Sequence, residues 1–169
     1  DIALGPEMKS TGEVLGIDKD LDKAIYKGFL GAGMSIPTNG NVFVTLKESE
    51  QNTYTADILR DYAEAGFRLY ATDDTIEFIM AHDIPVEPMD YVTAQKWIMN
   101  HDSESDEKIS LVINIPVVAN RKERESFPVR RKAIERGISV MTCMDTARVF
   151  LKAVKLKQQD AVLDYEPLD

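Results

Sequence analysis

Five short apolar segments alternate with amphipathic segments along most of the chain, and this alternation constrains the fold more than any other feature. The five segments are rich in β-branched and aromatic residues, as strands are: NVFVTL, FRLYA, IPVEPM, ISLVIN and ISVMT. Between them, apolar residues recur at helical spacing. Parallel strands need crossover connections, which are usually helices. The sequence therefore predicts an α/β fold, an open parallel five-stranded sheet with helices on both faces in three layers.

Capping residues, glycines and prolines set the expected bounds of the helices. The helices are expected to span Thr53 to Ala65, the residues around Ile76 to Met80, Thr93 to Asn100, Phe127 to Arg136, and about Met144 to Lys157. Thr72 to Thr75 is predicted to be a turn, and Pro128 is expected in the first turn of its helix. An earlier helix after Asp18 has a predicted apolar stripe of Leu21, Ala24, Ile25 and Ala32. From Gln158 onward we expect a loosely attached tail.

The acidic composition argues against two classes of partner. With 29 acidic and 20 basic residues, the net charge is −9. Such a chain is poorly suited to neutralising nucleic-acid phosphates or coating an anionic membrane, so neither partner is expected. Cys143 is the only cysteine, which leaves no internal disulfide and fits the reducing conditions of the cytoplasm.

Small polar residues follow the predicted strands. They are Thr45 after the first strand, Thr72 and Thr75 after the second, Asn114 after the fourth and Thr142 after the fifth. Ligands bind open parallel sheets outside the carboxyl ends of the strands, where helix N-termini supply N–H donors and partial positive charge. These residues therefore suit a phosphate or a carboxylate. An interpretation with the same support is that these residues only cap the helices that follow them.

Positive charge for such an anion site is concentrated in one region. Its members are Arg121, Lys122, Arg124, Arg130, Arg131, Lys132 and Arg136. Arg130 and Arg131 lie near the start of the predicted helix and are the best placed to face the crevice, and paired arginines suit bidentate recognition of anions. The alternative interpretation is that these basic residues simply form the solvent-exposed face of a helix.

Catalytic groups are scarce, and we predict neither catalytic nor metal-ligating residues. His82 and His101 fall away from the strand ends and have no serine or cysteine partner at motif spacing. Asp73 and Asp74 are adjacent carboxylates that are expected to serve as helix N-caps. Cys143 is expected to be a packing residue.

Two parts of the sequence resemble one family. GPEMKSTGEVLGID, residues 5 to 18, resembles the end of the second ATP-grasp domain of the carbamoyl phosphate synthetase large subunit. From about Gly40 the chain resembles the methylglyoxal-synthase-like regulatory domain that follows it there, with VINIP at 112 to 116 and PVRRKA at 128 to 133 in matching places. The resemblance implies an ATP-grasp edge over residues 1–38, a regulatory domain over 39–158 and a tail over 159–169. The chain also lacks an initiator methionine, so we expect a piece of a longer protein.

The resemblance implies a module that binds effectors and does no chemistry. The expected effector belongs to the class of UMP, IMP, ornithine or N-acetylglutamate. The implied parent is oligomeric and makes carbamoyl phosphate from bicarbonate, glutamine or ammonia, and ATP, with Mg or Mn. Its other parts are the rest of the large subunit and a glutaminase small subunit. No cofactor is expected in this segment itself.

Residue by residue, the resemblance implies three kinds of contact. Those to an effector phosphate match Thr45, Thr72, Thr75 and Asn114; the paired arginines match Arg130 and Arg131; and the contact to ornithine matches Thr142. Tyr91 stands where members regulated by N-acetylglutamate carry an aromatic residue.

This chain departs from the nucleotide-regulated members at several positions. Asp73 and Asp74 stand where a glycine is favoured, Gln51 where a lysine is expected, and Pro116 and Val117 where hydroxyl residues follow the asparagine. Two further hypotheses remain open, a free-standing lyase of the methylglyoxal synthase kind and an oligomerisation module whose ligand site has decayed.

Overall fold

The computed structural model of the chain describes residues 20–116 and 121–165. The strands are β1 (Gly40–Leu46), β2 (Phe67–Ala71), β3 (Glu87–Pro88), β4 (Leu111–Ile115) and β5 (Ser139–Met141). The helices are α1 (Asp20–Gly31), α2 (Thr53–Glu64), α3 (Asp73–Ala81), α4 (Tyr91–Met99), α5 (Arg121–Glu135) and α6 (Met144–Tyr165). The segment quoted as residues 5 to 18, with its capping Asp18, lies outside the described residues, as does Val117.

The sheet is parallel throughout, with the strand order β3-β2-β1-β4-β5. This confirms the predicted α/β fold with an open, parallel, five-stranded sheet. After β1, the strands β2 and β3 are added on one side of it. The chain then crosses over, and β4 and β5 are added on the other side of β1. The order therefore reverses between β1 and β4, and a crevice opens at the carboxyl ends of those two strands.

The two faces of the sheet have separate cores, and the side-chain alternation of the strands assigns each residue to one of them. Residues of α1, α2, α3 and α6 pack on the first face, against Val42 and Val44 of β1. Residues of α4 and α5 pack on the second face, against Phe43 of β1 and Val112 of β4. Thr45 and Asn114 lie two residues further along these strands, so both belong to the face covered by α4 and α5.

Helix α1 packs against the rest of the fold through one apolar stripe. Ile25 and Phe29 are buried, and the Phe29 ring meets Phe150 of α6 edge to face, with centroids 5.3 Å apart. Ala24 is exposed, so the predicted stripe was wrong at that position, because Phe29 takes the buried place instead. The domain boundary near residue 38 stays a prediction.

Two predicted helix bounds were wrong by more than one turn. The fifth helix begins at Arg121 rather than Phe127 and contains Pro128, because the helix-forming residues before the proline outweigh the hydrogen bond that it removes. The last helix continues to Tyr165 instead of ending near Lys157. Its Gln158 donates hydrogen bonds to the Thr38 and Ala65 carbonyls, at 2.8 and 2.9 Å, so the tail is attached at this residue.

One local prediction also changes. Thr72 is the N-cap of α3, and residues 73 to 75 form its first turn rather than a free turn.

Within the described ranges, no helix is both long enough and apolar enough to cross a membrane.

Replacing Phe29 with Ala tests whether α1 is an integral part of this fold. We expect the free energy of unfolding to fall by about 3 to 5 kcal/mol, the usual cost of removing a buried phenyl ring. Leu30→Ala is the matched control in the same helix, since Leu30 is 46% exposed and should cost under about 1 kcal/mol. Urea denaturation of the chain measures both. Equal effects of the two substitutions would contradict the packing described for α1.

Candidate functional site

Thr45 and Asn114 face each other across the crevice where the strand order reverses. They are register partners at the carboxyl ends of β1 and β4. Both are almost fully buried, with 3% and 2% of their surfaces exposed. Polar groups at such positions must find partners or lose the free energy of their hydration.

A chain of hydrogen bonds satisfies these buried groups. The Asn114 side-chain amide donates to the Thr45 hydroxyl, and the Arg130 guanidinium donates to the Asn114 amide oxygen. Arg130 also donates to the Ser126 hydroxyl at 3.2 Å. These two bonds to neutral groups hold the guanidinium next to the crevice.

A cavity of about 370 Å³ lies at this point, and we call it the first cavity. Its polar lining includes Thr45, Gln51, Asp74, Tyr91, Asn114 and Ser126. Lys47 and Glu48, which follow β1 directly, add one charge of each sign. The volume is within the range of small-molecule sites, and its polar groups come from several different elements.

Tyr91 begins α4 and forms a wall of the first cavity. Its ring meets Phe43 edge to face, with centroids 6.0 Å apart, and its hydroxyl lies near the side chains of Thr72 and Thr45. Burial, followed by the nearby charge of Asp74, raises the pKa of the Tyr91 phenol to about 12. At neutral pH the phenol therefore carries its proton and can donate a hydrogen bond.

The N-terminus of α3 closes another side of the first cavity. The Asp74 carboxylate accepts a hydrogen bond from the Thr72 hydroxyl at 2.5 Å and one from the Thr75 hydroxyl at 3.3 Å. The Thr75 oxygen in turn accepts from the Leu46 backbone N–H at 3.0 Å. Gln51 donates to the carbonyls of Leu46 and Asp74, at 3.2 and 3.0 Å. These bonds fix the end of β1 to the start of α3.

A second cavity of about 540 Å³ adjoins the first, with Tyr91 common to both. Asp73, Asp90 and Glu125 contribute carboxylates to its lining, and Thr72 contributes a hydroxyl. Asp90 caps α4 by accepting from the Thr93 backbone N–H at 2.7 Å, and this bond holds the pKa of its carboxyl below the usual value. The second cavity therefore has a more acidic lining than the first.

Residues 54–142 match the family model described as the MGS-like domain, which is more than half of the chain. This chain belongs to the MGS-like domain family. The carbamoyl phosphate synthase large chain of Clostridium acetobutylicum is 40% identical to it over 169 residues, which is 99% of this chain and 15% of that protein. The chain thus spans about 15% of the length of this curated relative.

The MGS-like domain brings most of the residues predicted for the site together. Thr45, Tyr91 and Asn114 line the first cavity, Thr72 lines the second, and Arg130 contacts two residues that line the first. Thr75 is fully buried, and its oxygen is bonded to the end of β1 rather than exposed to a ligand.

Two predicted residues lie away from these cavities. Arg131 is largely exposed and has Glu135 as its ion-pair partner at 3.8 Å. Consecutive residues of a helix point about 100° apart, so only one arginine of the pair can face the crevice. Thr142 follows β5 and is partly buried, and neither cavity includes it in its lining.

The sequence analysis missed Ser126, which is 2% exposed and lies between Arg130 and the first cavity. The helix predicted to begin at Phe127 left Ser126 outside it, whereas Ser126 lies inside α5, one turn before Arg130. The four-residue spacing of Ser126 and Arg130 places both on one helix face, and this spacing could have indicated that they act together. Lys47 was missed as well, although its place directly after β1 pointed to the carboxyl edge.

Three other predicted roles concern residues outside the cavities. His82 is the C-cap of α3, and His101 lies just after α4. Both are therefore near the amino ends of the strands, whereas the first cavity is at the carboxyl ends. Cys143 is exposed, so its prediction as a packing residue was wrong. Within the described part of the chain, no group of three or more metal-ligating side chains could bind an ion.

Replacing Thr75 with Val tests the bond between α3 and β1. The shape is kept but the Leu46 N–H loses its acceptor, so the MGS-like domain should lose about 1 to 3 kcal/mol of stability to unfolding. Thr55→Val is the matched control, because Thr55 is the third residue of α2 as Thr75 is of α3, it is 1% exposed, and its hydroxyl has no hydrogen-bond partner. That substitution should leave stability unchanged or raise it. Equal losses at both positions, measured by urea denaturation, would contradict the assigned role of Thr75.

Proposed function

We propose that this chain is the effector-binding regulatory domain of a carbamoyl phosphate synthase large chain and binds its effector in the first cavity. The single observation that carries the proposal is the hydrogen-bond chain from Arg130 through Asn114 to Thr45 at the point where the strand order reverses. It presents a cation and neutral polar groups in a preformed cavity.

The comparison with the Clostridium acetobutylicum large chain supports the choice of parent protein, since the alignment covers 99% of this chain. On this proposal the parent makes carbamoyl phosphate from bicarbonate, glutamine or ammonia, and ATP, for pyrimidine and arginine synthesis. ATP and Mg or Mn act elsewhere in the parent. The rest of the large chain and a glutaminase small subunit are the partners, in an oligomeric, cytoplasmic enzyme.

The expected effector is a small molecule of the class of UMP, IMP, ornithine or N-acetylglutamate. Arg130 and Lys47 are the cations next to the first cavity, so an anionic group of the effector is expected at their side. The protonated Tyr91 phenol and the Asn114 amide are neutral groups that orient the rest of the ligand.

A lyase of the methylglyoxal synthase kind is the alternative on the same fold. The resemblance implies that such an enzyme needs a carboxylate base and histidines around its phosphorylated substrate. Asp74 is a carboxylate in the first cavity, but His82 and His101 lie near the amino ends of the strands. The positions of the histidines therefore favour the regulatory role over the lyase.

Arg130→Gln and Arg131→Gln remove the same charge from neighbouring positions of one helix, and of the two only Arg130 is hydrogen-bonded to residues that line the first cavity. In isothermal titrations with UMP, IMP, ornithine and N-acetylglutamate, at least one compound should bind the unaltered chain. Arg130→Gln should weaken that binding about tenfold or more, the scale of a hydrogen bond to a charged group. Arg131→Gln should change it less than about threefold. Binding of none of the four compounds, or equal losses from both variants, would count against the proposal.

The lyase alternative has its own test. We expect no methylglyoxal from dihydroxyacetone phosphate above the buffer background, because neither His82 nor His101 is among the described residues that line the first cavity. Production that depends on enzyme concentration and is lost in Asp74→Asn would overturn the regulatory proposal in favour of the lyase.

A further inference from the structure

Asp74 places a carboxylate at the α3 corner of the first cavity, where it already accepts hydrogen bonds from two threonine hydroxyls. A threonine hydroxyl has one proton to donate. The protons of Thr72 and Thr75 both point to one carboxylate oxygen of Asp74, at 2.5 and 3.3 Å. The N-terminus of α3, whose partial positive charge favours an anion, already has this carboxylate in its first turn.

The charges around the cavity also oppose a doubly charged ligand at this corner. Among the described residues that line the first cavity, Lys47 is the one cation, and Glu48 and Asp74 are anions. Arg130 adds a second positive charge from the α5 side. A phosphate dianion next to Asp74 would be repelled in a partly buried place, where charges are weakly screened. Burial is the main cause of the raised pKa of the Tyr91 phenol, and the charge of Asp74 adds to it.

We propose that Asp74 determines the ligand selectivity of the first cavity, because its carboxylate takes the place of an external anion at the α3 corner. The cavity then discriminates against phosphate dianions and accepts ligands whose group at this corner is neutral or positively charged. This inference rests on the proposed function, and it names the chemical class that the site selects. Asp73 has no such role, since its exposed side chain lines the second cavity and not the first.

The test is a titration of the chain with UMP and with inorganic phosphate, using graded variants. Asp74→Asn removes the charge but keeps an oxygen that accepts from Thr72. Asp74→Ala removes both the charge and the acceptor of the two threonine hydroxyls. Asp73→Ala is the matched control, because it removes an acidic residue from the same helix turn. Thermal unfolding of each variant accompanies the titrations.

We expect UMP to bind about tenfold or more tightly to Asp74→Ala than to the unaltered chain, with Asp74→Asn between them. Inorganic phosphate should show the same order, and Asp73→Ala should change either affinity less than about threefold. Unchanged or weaker UMP binding by a folded Asp74→Ala would overturn the inference, as would an equal gain in Asp73→Ala. If N-acetylglutamate or ornithine still binds in an Arg130-dependent way, that failure leaves the proposed function standing. If no compound binds any variant, both fail.

Discussion

The reversal of strand order between β1 and β4 is the constraint on which the rest of the structure depends. Right-handed crossovers place α2 and α3 on one face and α4 and α5 on the other once the chain changes its direction of growth. The helices that follow β1 and β4 therefore diverge, and the carboxyl ends of the two strands are left uncovered. No side-chain chemistry is needed to open this crevice. The residues at its floor decide only what it can bind.

The buried polar groups of the crevice satisfy each other before any ligand arrives. Asn114 connects Thr45 to Arg130, and Thr75 provides the acceptor that the last amide of β1 lacks. Such a network is costly to disturb, because each group that loses its partner stays buried. A ligand therefore meets side chains whose orientations are already fixed, which lowers the entropy that binding must overcome.

The sequence predicted the parts of this arrangement that depend on local periodicity. Thr45 and Asn114 could be assigned to the carboxyl edge because each ends an apolar run, and parallel strands end at one edge. The choice between Arg130 and Arg131 could not be made, because it depends on the phase of α5, and Pro128 suggested a later start for that helix. Tyr91 was found only through the family resemblance, since nothing in the spacing of α4 indicates that its first residue reaches the strand ends.

The most direct measurement of the central claim is the amide NMR spectrum of the chain during titration with UMP, IMP, ornithine and N-acetylglutamate. Asn114 is at the carboxyl edge of the sheet, whereas Asn41 is at the amino end of β1, where its side-chain amide donates to the Asp106 and Lys108 carbonyls at 2.9 and 2.8 Å. We predict that at least one compound shifts the Asn114 side-chain amide signal and leaves that of Asn41 in place. Shifts at Asn41 without any at Asn114, or no shift at Asn114 with any of the four compounds, would contradict the account.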